Sequence, residues 1–473
     1  MTKYLNPSGV RRWLALGSAS LLLGGAACNP FQLDAIPDPN NTPLESVLNK
    51  PTALQLQALA TGQEAAFRLG HTNNAPYYQM TGALCREIVI LASNEPRWYN
   101  EILGTTGGLN NNSFYSVGSY NAFARGNRAA SILRQSVLTA QPVVADSKQI
   151  QATLGFADTY EALSKLHLIN LMGENGIRID VADITKPGKF TNGSAPALAN
   201  IRQLLDKAAT ELANGGKTFP FALSSGYGGF DTPPTFLLFN RALAARVALY
   251  QKDYAGASQA LRASFFQNAA STTASDLAVG PGLTFNPAIA GDQSNAYFQQ
   301  VGSTPSTLVV VPDNFVTEAE PGDLRLGKVA STPAIRSTVR ITGNYVPTIY
   351  TSPTQPLSII RNEELVLISA EANAMTGNTA GAVSDINLIR TVAGGLPAYA
   401  GATDQASLIN EILRQRRYSL FYEGQFLIDL RRLGKLQARP TPQITIPYTA
   451  APFRIFDRLP VPQAEVNWDI ANP

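Results

Sequence analysis

Histidine and cysteine are almost missing: the 473-residue chain holds two of each. That excludes a cysteine-rich metal fold and a disulfide scaffold. Charge is scarce as well. Asp, Glu, Lys and Arg make up 15% of the residues, where an average globular protein has about 25%. A coiled-coil rod, a charged tail protein and a basic nucleic-acid binder are excluded with it. The formal net charge is +3. Lys3, Arg11 and Arg12 account for all of it, because the other 34 basic residues balance 34 acidic ones. Such a chain offers no electrostatic attraction to nucleic-acid phosphate or anionic lipid, so a neutral polar partner is expected. Against these shortages stands a hydrophobic content of 45%, enough for a sizeable core. The length suits two to three domains, or one large one.

The amino terminus reads as an address. Lys3, Arg11 and Arg12 form a charged start to residues 1–27. Trp13 to Ala27 is an apolar run shorter than the roughly 20 residues of a membrane-spanning helix. It ends in Gly24-Gly25-Ala26-Ala27, directly before Cys28. Small residues followed by cysteine resemble a bacterial lipobox, with Gly25 where leucine is usual. The Cys28 thiol is therefore expected to carry lipid, each buried methylene adding about 0.8 kcal/mol to membrane residence. Residues 28–42 are dense in Pro, Asn and Asp and read as a tether. Lipidation of Cys28 leaves Cys85 without a partner, and its apolar helix-like surroundings make it a small buried hydrophobe.

The body, 43–473, divides by pattern. Residues 43–264 are mostly helical. Thr42 and Pro43 can open a short helix reaching about Leu48. Ala53 to Leu69, Gly82 to Leu91, Asn121 to Leu138 and Gln149 to Met172 carry helical apolar periodicity. Ile201, Leu204, Leu205, Ala208, Ala209 and Leu212 form one stripe of a further helix. In Phe236 to Leu261 a helix ends near Gln251 and a second starts at Asp253, a good N-cap. This pair resembles a tetratricopeptide hairpin, a unit of about 34 residues that stacks on its neighbours. A second pair follows, with Asn362 expected to cap one helix, Gly377 to end it, and Thr379 to cap the next. Between the pairs, residues 265–358 are rich in Ser, Thr, Pro, Gly and Asn. Thr307 to Val311 and Val339 to Ile349 alternate as hairpin strands do. The expected fold class is mainly α, with tetratricopeptide-like helix pairs as scaffold and a loop-rich insertion containing short strands. Residues 359–473 supply the C-terminal helices.

A run of ordered features lies in those last residues. Arg361 with Glu364, Ala370-Glu371-Ala372, Asn387 with Arg390, and Arg416-Arg417 before Leu420 come first. Glu423-Gly424, Asp429-Leu430-Arg431-Arg432 with Gly434, and Leu459-Pro460-Val461-Pro462 complete them. Together they resemble the SusD/RagB family of outer-membrane lipoproteins, which capture nutrients for a TonB-dependent transporter. The resemblance implies a non-catalytic binder of extracellular oligosaccharide or peptide, lipid-anchored at the outer membrane and partnered with a SusC-like β-barrel. It implies no cofactor and no nucleic-acid partner. Taken by charge alone, Arg416, Arg417, Arg431 and Arg432 with Glu423 and Asp429 read as ion pairs that fix helix crossings.

Chemistry-bearing signals are few. There is no Gly-x-Ser-x-Gly elbow and no His-Glu-x-x-His pair. His71, in a polar loop, and His167, on a helix, read as structural. Gly215-Gly216-Lys217-Thr218 mimics the end of a P-loop, but Glu211 stands where its first glycine belongs. Asp313, Glu318, Glu320 and Asp323 lack EF-hand spacing. Glu423 with Asp429 is a remote candidate for acid/base work, since flanking arginines hold carboxylates ionised. A neutral saccharide or peptide instead needs aromatic faces and planar polar groups. The segment from Cys85 to Asn100 offers them. By the family resemblance Trp98 falls on a ligand-stacking tryptophan, and Asn94 replaces an arginine. Tyr99, Tyr77, Tyr78 and Tyr115 are the companion candidates, with Tyr120 and Asn110-Asn111-Asn112 nearby and Tyr345 and Tyr350 in the insertion. For Trp98 the competing role is simple packing under a loop. Two other functions stay open on these residues: a secreted polymer hydrolase and a structural repeat scaffold.

Overall fold

A computed structural model describes residues 44–473, apart from 182, 184, 304, 333–336, 339–340 and 437–444. Cys28, the address segment and the tether lie outside the described residues, as do Thr42, Pro43 and Val339.

Capping residues set most helix starts. Helix α1 (Ala53–Thr72) opens on Thr52, whose side chain accepts from Gln55 N while Gln55 reaches back to Thr52 N. α2 is Tyr77–Leu84 and α3 is Phe114–Val137. α4 (Ser147–Met172) opens on the same reciprocal arrangement between Asp146 and Gln149. α5 is Ser194–Ala213. α6 (Pro233–Tyr250) has Thr232 as cap and proline in its first turn. Asp253 caps α7 (Tyr254–Arg262) through Gly256 N at 2.9 Å, as its position suggested. The second pair is α8 (Asn362–Met375) and α9 (Thr379–Leu388), followed by α10 (Gln405–Ser419), α11 (Phe426–Arg432) and the terminal α12 (Gln463–Ala471).

The long helices pack in sequence order: α1 on α3, α3 on α4, α4 on α5, α5 on α6 and α6 on α7. α8 then joins α7, α9 and α10. This is the mainly α scaffold of stacked helix pairs that the patterning implied. α4 lies at its centre, buried at every position from Ala152 to Met172. Gly155 is what lets α5 come so close: a Cβ there would sit 2.6 Å from Leu212 Cγ and 2.8 Å from the Ala208 carbonyl. Phe67, Phe123, Phe156, Tyr160 and Phe236 are solvent-free and edge-on or tilted to one another.

Short antiparallel strand pairs are laid against this scaffold. β1 (Val89–Ala92) pairs with β2 (Thr307–Val310), Val89 opposite Val310 and Ala92 opposite Thr307. Tyr345–Pro347 pairs with Val329–Ser331. The insertion is not a separate layer, since Tyr297, Val309 and Phe315 share one apolar cluster with the helices. Residues 48–473 form one compact unit.

Several local expectations are corrected. The periodic stretch Gly82 to Leu91 is not one helix. α2 ends at Leu84, Arg86 turns the chain at φ 65°, and β-branched Val89 and Ile90 enter a strand. The Arg86 guanidinium holds that turn by donating to the carbonyls of Ala83, Leu103 and Arg454. Asn362 is not a cap. Arg361 precedes the helix, and Asn362 instead clasps Gln267 N at 2.9 Å and Gln267 O at 2.8 Å. Asn378, not Thr379, caps α9 through Gly381 N. His71 is not in a loop but in the last turn of α1, 2% exposed among aromatic rings. Gly377 does end the α8 segment at φ +81°.

The scarce charges are concentrated at helix crossings. Arg246 of α6 forms two bonds with Glu364 of α8, at 2.7 and 2.6 Å, both side chains being buried. Arg416 holds Asp429 at 2.6 Å, tying α10 to α11, and Arg432 reaches both Asp429 and Glu371. Arg361 pairs with Glu363 and Glu423, and Arg417 with Glu318. Arg431 alone of this group has no carboxylate partner among the described residues; it donates to the carbonyls of Asn170 and Asp457 at 3.0 and 2.9 Å.

Candidate functional site

The β1–β2 ribbon ends in a loop, 93–113, that returns to α3. Ser93 N donates to Ser306 O at 2.8 Å, so the loop leaves from the ribbon's last pairing. Its first turn is fixed by charge. Glu95 accepts from Arg97 Nε at 2.7 Å and from Nη2 at 2.5 Å, and the guanidinium lies 4.8 Å above the Phe114 ring. The bond to Arg97 holds the Glu95 carboxyl below its usual range. Residues 98–102 then wind as a π-helical turn, an uncommon conformation enriched at functional sites.

That turn sends neighbouring side chains in opposite directions. Trp98 faces inward, 4% exposed, edge-on to Phe114 at 5.3 Å. Tyr99 is half-buried against the small apolar cluster of Val89, Leu91, Leu103 and Val310. Asn94 is exposed. Tyr115 is buried, its hydroxyl accepting from Asn110 N at 2.6 Å and donating to the Glu101 carboxylate; burial pushes that hydroxyl's pKa upward. Asn110 and Asn112 stand exposed beside it. Asn111 Nδ2 donates to Gln463 Oε1 at 3.0 Å, which ties the loop to α12.

Tyr77 and Tyr78 lie elsewhere, in the core beneath the ribbon. The Tyr77 hydroxyl accepts from Asn170 Nδ2 at 2.9 Å. Tyr78 donates to Ser358 O at 3.0 Å and stacks on Tyr297 at 5.0 Å. Their hydroxyls are held high by burial, that of Tyr77 at about 12. Tyr120 is buried against Phe190, Tyr350 is buried near Tyr297, and Tyr345 is half-buried. The loop thus brings together Asn94, Trp98, Tyr99 and Tyr115, and leaves Tyr77 and Tyr78 as supports.

Sequence reasoning missed the other side of the ribbon. A cavity of about 230 Å³ opens there between Gln79, Phe298, Gln300 and Thr307. Thr307 lies opposite Ala92, so cavity and loop flank the same ribbon end. Phe298 is half-buried and Gln300 exposed. Only the aromatic-amide run Phe298-Gln299-Gln300 carried any local signal. The pairing of Thr307–Val310 with β1, which sets the run beside the ribbon, spans more than two hundred residues and has none.

The arrangement suits binding rather than bond making. Asp429 is 1% exposed between two arginines and Glu423 is bonded to Arg361, so this carboxylate pair faces no open cleft. Glu318, Glu320 and Asp323 are each taken by an arginine. Among the described residues no three His, Cys, Asp or Glu side chains are grouped to hold a metal ion. Both histidines are buried and neutral: desolvation holds His71 far below its usual value and His167 at about 3. Cys85 is 1% exposed, with its thiol pushed well up by burial.

The chain is similar to known proteins in sequence over its C-terminal part and in fold over most of its length. Residues 338–468 match the model of the SusD family. No curated protein matches the chain. Among solved structures, a SusD superfamily protein from Bacteroides thetaiotaomicron shares 18% identity at a TM-score of 0.65, covering 88% of this chain and 98% of its own. A SusD-like carbohydrate-binding protein from Bacteroides vulgatus shares 18% at 0.60, over 81% and 83%. A laminarin-binding SusD-like protein shares 16% at 0.59, over 88% and 97%. The signature residues from Arg361 to Pro462 fall inside the family match, and the fold of the body is that of the SusD superfamily.

Proposed function

We propose, from the SusD-family match of residues 338–468 and the SusD-superfamily fold of the body, that this chain captures neutral oligosaccharides without transforming them. The observation that carries the reading is the surface around the β1–β2 ribbon end. It combines half-buried aromatic faces, Tyr99 and Phe298, with the uncharged polar side chains of Asn94, Asn110 and Gln300. A sugar ring offers apolar C–H faces to the first set and hydroxyls to the second. Two of the structural relatives are described as carbohydrate- or laminarin-binding. Trp98 and Tyr115 shape the loop from beneath, and Tyr77 and Tyr78 hold the floor.

In the same reading, residues 1–27 are a signal, Cys28 carries the lipid, and 28–42 is the tether that leaves the body at the outer membrane. No helix among the described residues is long and apolar enough to cross a membrane, so an anchor would be the means of residence. Bound ligand would pass to a TonB-dependent β-barrel. Two measurements test this. Calorimetry with neutral glucan oligosaccharides should show binding that Asn94→Ala/Tyr99→Ala reduces at least tenfold, with no product formed on prolonged incubation. Purification from detergent-solubilised membranes should recover a β-barrel in equal amount. Turnover abolished by one carboxylate substitution would overturn the non-catalytic reading.

A further inference from the structure

A second cavity, of about 520 Å³, lies on the C-terminal side between α10 and the 395–402 loop. Its volume falls within the roughly 300–1,000 Å³ of small-molecule sites. We propose that it is a second saccharide site, built on Tyr399, Asn410 and Glu411; the choice of ligand rests on the function proposed above.

Tyr399 supplies a fixed aromatic face. Its hydroxyl donates to Ala402 O at 2.8 Å and its amide to Asn387 Oδ1 at 2.6 Å. Gly401 packs against the ring so closely that a Cβ would lie 2.6 Å from Cζ. The ring is half-buried and lines the cavity.

Glu411 supplies an acceptor. The residue is 8% exposed, and its Oε1 accepts from Arg390 at 2.6 Å and from Gln415 at 2.7 Å. Its Oε2 has no partner among the described residues, and Glu411 lines the cavity. That oxygen is therefore open to accept from an occupant bringing O–H groups. Asn410 supplies the complementary donor. Its Oδ1 is taken by Lys435 Nζ at 3.0 Å, while its Nδ2 has no partner among the described residues.

The charges select against ions. Glu320 bonds Arg390 at 2.7 and 2.8 Å and lies 3.3 Å from Arg414, so two carboxylates face two guanidinium groups. An anion would meet Glu320 and Glu411, and a cation would meet Arg390 and Arg414. A neutral ring with hydroxyls meets an aromatic face, an open acceptor and an open donor.

Calorimetry of the full chain with neutral α- and β-glucan hexasaccharides tests this, with a uronate oligomer and a neutral tripeptide as controls. Two sites per chain are expected. Tyr399→Ala should leave one, as should Asn410→Ala if its affinity falls at least tenfold at the second site. Asn94→Ala/Tyr99→Ala should retain the second site intact. Thermal melts within a few degrees of the parent show that each variant is folded, and Asn410→Ala, at the surface of α10, guards against misfolding of the loop. One site per chain, indifferent to Tyr399→Ala, overturns this proposal alone. Binding of the tripeptide or uronate here in place of glucan overturns the ligand class. Absence of any glucan binding overturns both this site and the function above.

Discussion

Glu87 is 5% exposed in the turn between α2 and β1, and burial pushes its carboxyl up to about 8. The Tyr422 backbone and the charges of Arg417 and Lys328 oppose that rise, while Glu423 adds to it. The folded chain therefore holds a proton that the unfolded chain releases near 4.5, and stability is lost as pH climbs from about 4.5 through about 8. His71 and His167 act in the other direction. Unfolded, they take protons near 6.5; folded, His167 resists until about 3, so stability is lost as pH falls below about 6.5. Urea denaturation across this range should show greatest stability near pH 6.5. Glu87→Gln should flatten the alkaline limb and stabilise the chain at pH 8 by on the order of a few kcal/mol. At the site, Trp98 and Tyr99 should separate. Trp98→Ala empties a closed space and should cost about 3–5 kcal/mol, visible as a lowered melting temperature. Tyr99→Ala should leave the melt nearly unchanged and weaken glucan binding. Equal melts for the two variants would contradict the placement of Trp98 beneath the loop.

Between elements, the charges do what their scarcity suggested: they fix crossings. Arg246–Glu364 bridges α6 and α8, which belong to different helix pairs separated by the insertion. Removing one partner strands the other in a buried place, so Glu364→Gln or Arg246→Met should cost about 3–5 kcal/mol. The paired change Arg246→Met/Glu364→Leu should cost much less than the two single costs together, as a double-mutant cycle by denaturation would show. α12 is held differently. It has no buried residue, and Arg178 grips Glu465 and Asp469 at 2.7 and 2.9 Å. Because Gln463 also bonds Asn111, Arg178→Ala should speed hydrogen exchange in both α12 and the 107–112 loop while leaving α4 protected.

At the scale of the whole molecule, the sequence by itself determined the helical frame. Apolar periodicity over α4 and α5, Asp253 as a cap and Gly377 as a stop are interactions within a few residues of each other, so they are written in the local chain. It also set the charge balance near zero, which is a property of composition. The residues that resemble the SusD/RagB pattern lay in order from Arg361 to Pro462, inside the stretch that matches the SusD family model, and needed no coordinates. Only the tertiary structure decided what lies in reach of a ligand. Trp98 and Tyr99 are adjacent in sequence, and one is closed in while the other is half-open, because a π-helical turn and the Phe114 ring set their directions. Val89–Ala92 became a strand because Thr307–Val310 offered an edge, a pairing that no window of neighbouring residues contains. The same holds for Tyr399, Asn410 and Glu411: helix α10 and a loop must first meet before a cavity exists between them.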